Sequence, residues 1–98
     1  MSDLEFDWHE NKYARNWRDH RVSFEEAQSV FSDERALLID DPDHSDDEDR
    51  FILLGLSSRP RLLLVCHCYR RDSEVIRIIS ARQAEPRERK QYEERWKT

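Results

Sequence analysis

The chain is predicted to fold as α+β: two N-terminal helices, a four-stranded antiparallel meander sheet and a C-terminal helix. Three observations carry that expectation. Phe24, Ala27, Val30 and Phe31 recur at helical spacing, and Tyr13 and Trp17 lie four apart on one helix face. Four aliphatic, β-branched runs then follow one another, joined only by short or polar segments, which favours antiparallel neighbours. One Gly and three Pro in 98 residues argue against a loop-rich or fibrous protein. Helices segregated to one face of such a sheet would give two layers.

Glu10 to Asp19 reads as the first helix, entered after Phe6-Asp7-Trp8 and closed by Asp19-His20-Arg21. Ser23 opens the second. Its hydroxyl can cap free N–H groups while Glu26, three residues on, reaches back, the pattern of a capping box. Phe31 to Asp33 closes that helix, and Ala36 to Ile39 is a short first strand. Asp40 to Asp49 holds seven Asp/Glu, one Pro and no apolar residue, so it reads as a solvated loop. Phe51 to Leu56 is the second strand, Ser57-Ser58-Arg59-Pro60 a turn, Leu62 to Arg70 the third strand and Val75 to Ala81 the fourth. The polar Arg71-Asp72-Ser73 makes a three-residue hairpin connection. Pairing Arg70 with Glu74 sets His67 opposite Arg77, on one face with Val65, Tyr69, Val75 and Ile79. A one-residue slip would separate His67 from Arg77. Glu85-Pro86 starts the last helix, since Pro suits the first helical position. Its apolar stripe is thin, Tyr92 and Trp96, so it is expected to be weakly held.

The length suits one domain over residues 1–98 with a single core. Charged residues are 40 % of the chain and apolar ones 37 %. The apolar ones cluster in element-length groups, so a folded chain is expected rather than a disordered one. The net charge of −5 hides an asymmetry: residues 1–49 carry 16 acids against 5 Lys/Arg, residues 50–98 carry 6 against 12. Ten of those twelve are Arg, suited to bidentate contact with phosphate or carboxylate. Equally, the halves can neutralise each other within the fold. With no signal-peptide pattern and no long apolar run, a soluble cytoplasmic protein with no membrane contact is expected. Cys66 and Cys68 are then expected as reduced thiols.

Gly55, the single glycine, excludes a nucleotide-cradling Gly loop, and no Gly-x-Ser-x-Gly or His-Glu-x-x-His pattern occurs. His67 and Arg77 on one sheet face, with Arg82 further along, would supply a proton-transfer group and fixed cations for metal-free RNA cleavage. A His and an Arg on an exposed sheet face are more often simply solvated. Cys66-His67-Cys68 is a poor metal site, because alternation sets His67 opposite both thiols and zinc cysteines usually have at least two residues between them. Two buried thiols acting as small hydrophobes is the simpler reading. Lys12, Arg15 and Arg18, with His20 beyond them, could line a phosphate-binding rim, though cations near a helix C-terminus are favourable in themselves. The acidic run lacks the Gly and ligand order of a calcium loop. No metal or cofactor is expected.

Phe6-Asp7-Trp8 with Lys12 and Asn16; His20-Arg21-Val22-Ser23-Phe24-Glu25-Glu26-Ala27; Val30-Phe31 with Asp33; Asp41-Pro42 with His44-Ser45; Glu48 with Arg50-Phe51; Gly55; and Ile78-Ile79-Ser80-Ala81-Arg82 with Ala84 follow in order. From Phe6 to Glu94 that order and spacing resemble the BrnT family of type II toxin–antitoxin ribonucleases. The resemblance implies a RelE-like fold and a metal-independent endoribonuclease that cleaves RNA and arrests growth. It also implies a BrnA-like ribbon-helix-helix antitoxin that neutralises the toxin and alone carries the pair to operator DNA. By position it implies His67, Arg77 and Arg82 as catalytic residues and His20, Arg50 and Lys12 as substrate-binding ones. Two positions depart: Asp19 stands where the family commonly has a lysine, and Arg21 where a glycine is common. Asp19 and the net acidity motivate an alternative, a catalytically weak or inactive interaction module acting as antitoxin partner or co-repressor. Its last helix and open sheet edge would be the docking surface.

Overall fold

In the computed structural model, which describes residues 4–40 and 50–95, the elements run in this order: β1 (Glu5–Asp7), α1 (Glu10–His20), α2 (Phe24–Ser29), a 3₁₀ turn (Val30–Ser32), β2 (Leu37–Asp40), β3 (Phe51–Leu56), β4 (Leu62–Arg70), β5 (Val75–Gln83) and α3 (Pro86–Arg95). Trp96 and the acidic stretch at 41–49 lie outside the described residues. The sheet order is β1-β5-β4-β3-β2. Strands β2 to β5 form the expected antiparallel meander, but β1 pairs in parallel with β5. The four-stranded antiparallel sheet expected of a RelE-like fold is therefore corrected to a five-stranded mixed sheet, with a strand ahead of the first two helices. Three residues are too few to show a period-two pattern, which hides β1 in the sequence.

Helices cover both faces of the sheet rather than one. Leu53, Leu63, Val65, Ile78 and Ala81 pack against Val22, Phe24, Ala27 and Val30. Leu54, Leu62 and Leu64 point the other way, where Tyr92 of α3 closes over them. Successive strand residues alternate sides, so Leu53 and Leu54 serve different cores. Tyr92 is 4 % exposed, and its hydroxyl donates to Asp33 Oδ2 at 2.6 Å. The last helix, expected to be weakly held, is instead pinned to the 3₁₀ turn. Gly55 lies where a side chain would not fit: a Cβ would come within 3.0 Å of Val30, Asp33 and Ala36.

Ser23 caps α2 as expected, accepting from the Glu26 N–H at 3.0 Å. The Glu26 carboxylate does not complete a capping box. It accepts from the Arg61 guanidinium and from Ser57 Oγ (2.7 Å). A guanidinium satisfies a buried carboxylate better than one backbone N–H does, and Arg61 holds the Glu26 carboxyl below its ordinary range.

The β4–β5 hairpin departs from the expected register. Arg70 pairs with Val75, Cys68 with Arg77 and His67 with Ile78. Its connection has four residues, Arg71 to Glu74, and Arg71, Asp72 and Ser73 all take left-handed backbone, with φ of 51°, 57° and 72°. A register shift between Cys66 and His67 then pairs Cys66 with Ser80, leaving Ile79 as the extra residue of a β-bulge. His67 and Arg77 consequently point to opposite faces, and the shared face expected for them is corrected.

Candidate active site

The position of the site follows from an open strand edge. β1 covers β5 only as far as Arg77. Beyond it, the buried backbone of Ala81 needs partners, and Asn16 of α1 supplies them. Asn16 Oδ1 accepts from the Ala81 N–H and its Nδ2 donates to the Ala81 carbonyl, each at 2.9 Å. The same Nδ2 donates to the Val22 carbonyl at 2.9 Å. A side-chain amide thus stands in for a neighbouring strand and locks the last turn of α1 to the sheet rim. His20, one turn beyond Asn16, is held beside Ser80, Ala81 and Arg82.

The bulge turns Ile79 and Ser80 toward the same place, a re-aiming that bulges commonly produce. The result is a cleft of about 450 Å³ lined by His20, Arg50, Cys66, Ser80 and Arg82 over a floor of Ile52 and Leu64. A smaller lobe of about 180 Å³ shares His20, Ile79 and Ser80 and adds Lys12, Arg15, Asn16 and Asp19. Five residues singled out from sequence, Lys12, Arg15, His20, Arg50 and Arg82, therefore meet along one trough. Lys12, Arg15, Arg50 and Arg82 outnumber Asp19 and the Glu88 seated on Arg82, and an excess of cations in a cleft attracts polyanions. Arg82 is already oriented: its Nη1 and Nη2 donate to Glu88 Oε1 and Oε2 at 3.0 and 2.9 Å. This fork raises Arg82 and holds the Glu88 carboxyl below its ordinary range. Glu88 and Asn16 are the contributors that residue chemistry alone does not reveal; Asn16 appears in the sequence only as a motif position.

His67 and Arg77 lie elsewhere. His67 is fully buried, not on an exposed face, with the Phe31 and Tyr69 rings at 4.8 and 5.3 Å. Its Nδ1 is 3.0 Å from the Val65 carbonyl and its Nε2 3.3 Å from the Tyr69 hydroxyl. Burial pushes the imidazole pKa down, against the opposing pull of the Val65 carbonyl. Arg77 forks onto Asp7, Nε to Oδ1 at 2.9 Å and Nη2 to Oδ2 at 3.1 Å, and its Nη1 lies 3.4 Å from His9 Nε2. That pair joins β1 to β5 and lowers the Asp7 carboxyl. Among the described residues no three His, Cys, Asp or Glu side chains gather as metal ligands. No helix among them is long and apolar enough to cross a membrane.

A model of the family described as "Ribonuclease toxin, BrnT, of type II toxin-antitoxin system" matches residues 8–88. The chain belongs to the BrnT family. Its fold is similar to the crystal structure of the Brucella abortus ribonuclease toxin, BrnT, with a TM-score of 0.63 and 22 % identity, over 85 % of this chain and 99 % of that one. No curated protein sequence matches it significantly. Membership makes this the toxin member of a type II toxin–antitoxin pair, of a ribonuclease family whose partner is an antitoxin. Of the two positions noted as departures, Asp19 and Arg21, the first lies at the trough. Asp19 lines the smaller lobe and pairs with Arg18 at 3.3 Å. Arg21 caps α1 in left-handed backbone, φ 55°, donating its N–H to the Trp17 carbonyl at 3.0 Å. Glycine is the usual residue in that conformation.

Proposed function

We propose that the trough cleaves RNA by metal-independent transesterification, arresting growth until a ribbon-helix-helix antitoxin neutralises the chain. The convergence of His20, Arg50 and Arg82 in one cleft carries this reading. The 2′-oxygen attacks phosphorus and loses its proton as the new O–P bond forms. The bond to the 5′-oxygen breaks, and that oxygen takes a proton, leaving a 2′,3′-cyclic phosphate and a 5′-hydroxyl. His20, an exposed imidazole on the cleft wall, is assigned proton transfer, the role histidine most often takes in catalysis. Arg50 and Arg82 hold the non-bridging oxygens, where negative charge builds. Lys12 and Arg15 take a flanking phosphate. Glu88 fixes the Arg82 fork before substrate arrives, so that less orientation is left to lose. The cationic lining also repels a divalent ion electrostatically, which supports the metal-free route. His67, buried within β4, is assigned a supporting role in packing against Phe31 and Tyr69, and Arg77 one in fastening β1.

The test is cleavage of a long RNA by purified, antitoxin-free protein in the presence of a chelator. His20→Ala and Arg82→Ala should each slow it by about a hundredfold or more. Undiminished cleavage by both folded variants would sink the assignment. Asp19 in the lobe and the carboxylate already seated on Arg82 favour one other reading, an inactive module that serves as antitoxin partner or co-repressor. Intact RNA in the same assay, with antitoxin binding retained, would select it.

A further inference from the structure

Trp17 lies on α1, the helix whose His20 lines the trough. It is 42 % exposed and belongs to neither core, whereas Trp8 packs on Tyr13 and Phe24. Exposure of one aromatic residue is ordinary; its surroundings are more telling. The Arg21 guanidinium lies over the Trp17 ring, 5.6 Å from its centroid. Arg61 Nη2 donates to the Arg21 carbonyl at 3.2 Å, fixing that residue from behind. Trp17 precedes His20 by three residues, and side chains so spaced are neighbours on a helix. The platform therefore adjoins the wall of the phosphate-binding cleft. Aromatic rings and guanidinium planes are the surfaces on which unpaired nucleobases stack.

We propose that Trp17 and Arg21 form a stacking site for an unpaired base of the RNA strand whose phosphate lies at His20. This rests on the RNA reading above and extends it to substrate form. A base in a duplex is already stacked between its neighbours, so the site selects single-stranded RNA. Trp17 reads the face of a base rather than its edge, so the preference is for strandedness more than for sequence.

The test uses the full chain and a labelled 2′-O-methyl oligonucleotide, which lacks the nucleophile and survives the measurement. A second oligonucleotide of equal length carries abasic positions. Trp17→Ala should weaken the base-bearing strand by about 5- to 150-fold, and Trp17→Phe should recover most of it. The abasic strand should bind wild type and Trp17→Ala alike. The slope of log affinity against log salt should stay unchanged, because no phosphate contact is removed. Equal weakening of both oligonucleotides, or an altered slope, would mean that the trough itself is disturbed and would overturn the proposal. So would wild-type affinity of Trp17→Ala for the base-bearing strand in a protein that cleaves RNA. If wild type neither binds these strands nor cleaves RNA, the RNA reading fails and the stacking site falls with it.

Discussion

Tyr92→Phe isolates the bond that fastens α3. The Tyr92 hydroxyl donates to Asp33 Oδ2 at 2.6 Å, and that oxygen also accepts from the Leu56 N–H at 2.9 Å. A hydrogen bond to a charged group contributes about 1.5–3 kcal/mol. Phenylalanine keeps the ring on Leu54, Leu62 and Leu64, so the loss is that of the bond. In a domain of this size, Tm should fall by about 6–24 °C. Alkaline pH gives an independent check. Burial, and then the Asp33 hydrogen bond and charge, push Tyr92 from 10.0 up to about 12. A difference of that size corresponds to about 2.7 kcal/mol. A proton held more tightly in the folded chain stabilises it fully below pH 10, and that contribution is lost as pH rises through about 12. Denaturant unfolding of both proteins across this range measures the gap directly. The wild-type advantage should be present near neutrality and close by about pH 12. An advantage missing at neutral pH, or one constant through the alkaline range, refutes the reasoning.

Three further outcomes are expected. Arg21→Gly should stabilise the fold by up to about 1 kcal/mol, because glycine takes the left-handed φ of 55° without a Cβ clash; a thermal melt reads the gain. Gly55→Ala should cost about 1–3 kcal/mol in denaturant unfolding, since the new methyl would sit 2.9 Å from Ala36 Cβ and 3.0 Å from Val30 Cγ1. Arg77→Ala should loosen β1 and lower Tm while the folded protein still cleaves RNA. Loss of cleavage at undiminished folding would return Arg77 to the catalytic set.

Burial explains what the sequence makes legible. β3 and β4 begin and end with their aliphatic runs, at Phe51, Leu56, Leu62 and Arg70, because both are enclosed along most of their length and apolar runs encode enclosure. The Ser23 cap is legible because it is local. Long-range choices are not. Glu26 takes Arg61 rather than its own helix end, and no local pattern names that partner. The hairpin register turns on three left-handed residues, none of them the Gly or Asn that ordinarily marks such a turn. Alternation from Val65 sends His67 into the core, while that slip and the bulge turn Arg77 to the other face. Lys12, His20, Arg50 and Arg82 are legible as candidates for a phosphate site, but their meeting depends on Asn16 gripping Ala81.

That grip also governs how copies of the protein behave toward one another. Bare strand edges are where folded chains zip together and precipitate. Past the shelter of β1, the edge of β5 is sealed at Ala81 because one amide occupies both its N–H and its C=O. A foreign strand finds nothing there to pair with. The shape of the trough and colloidal stability are therefore tied to a single side chain. Shortening Asn16 would open the trough and uncover a template for self-association in the same step.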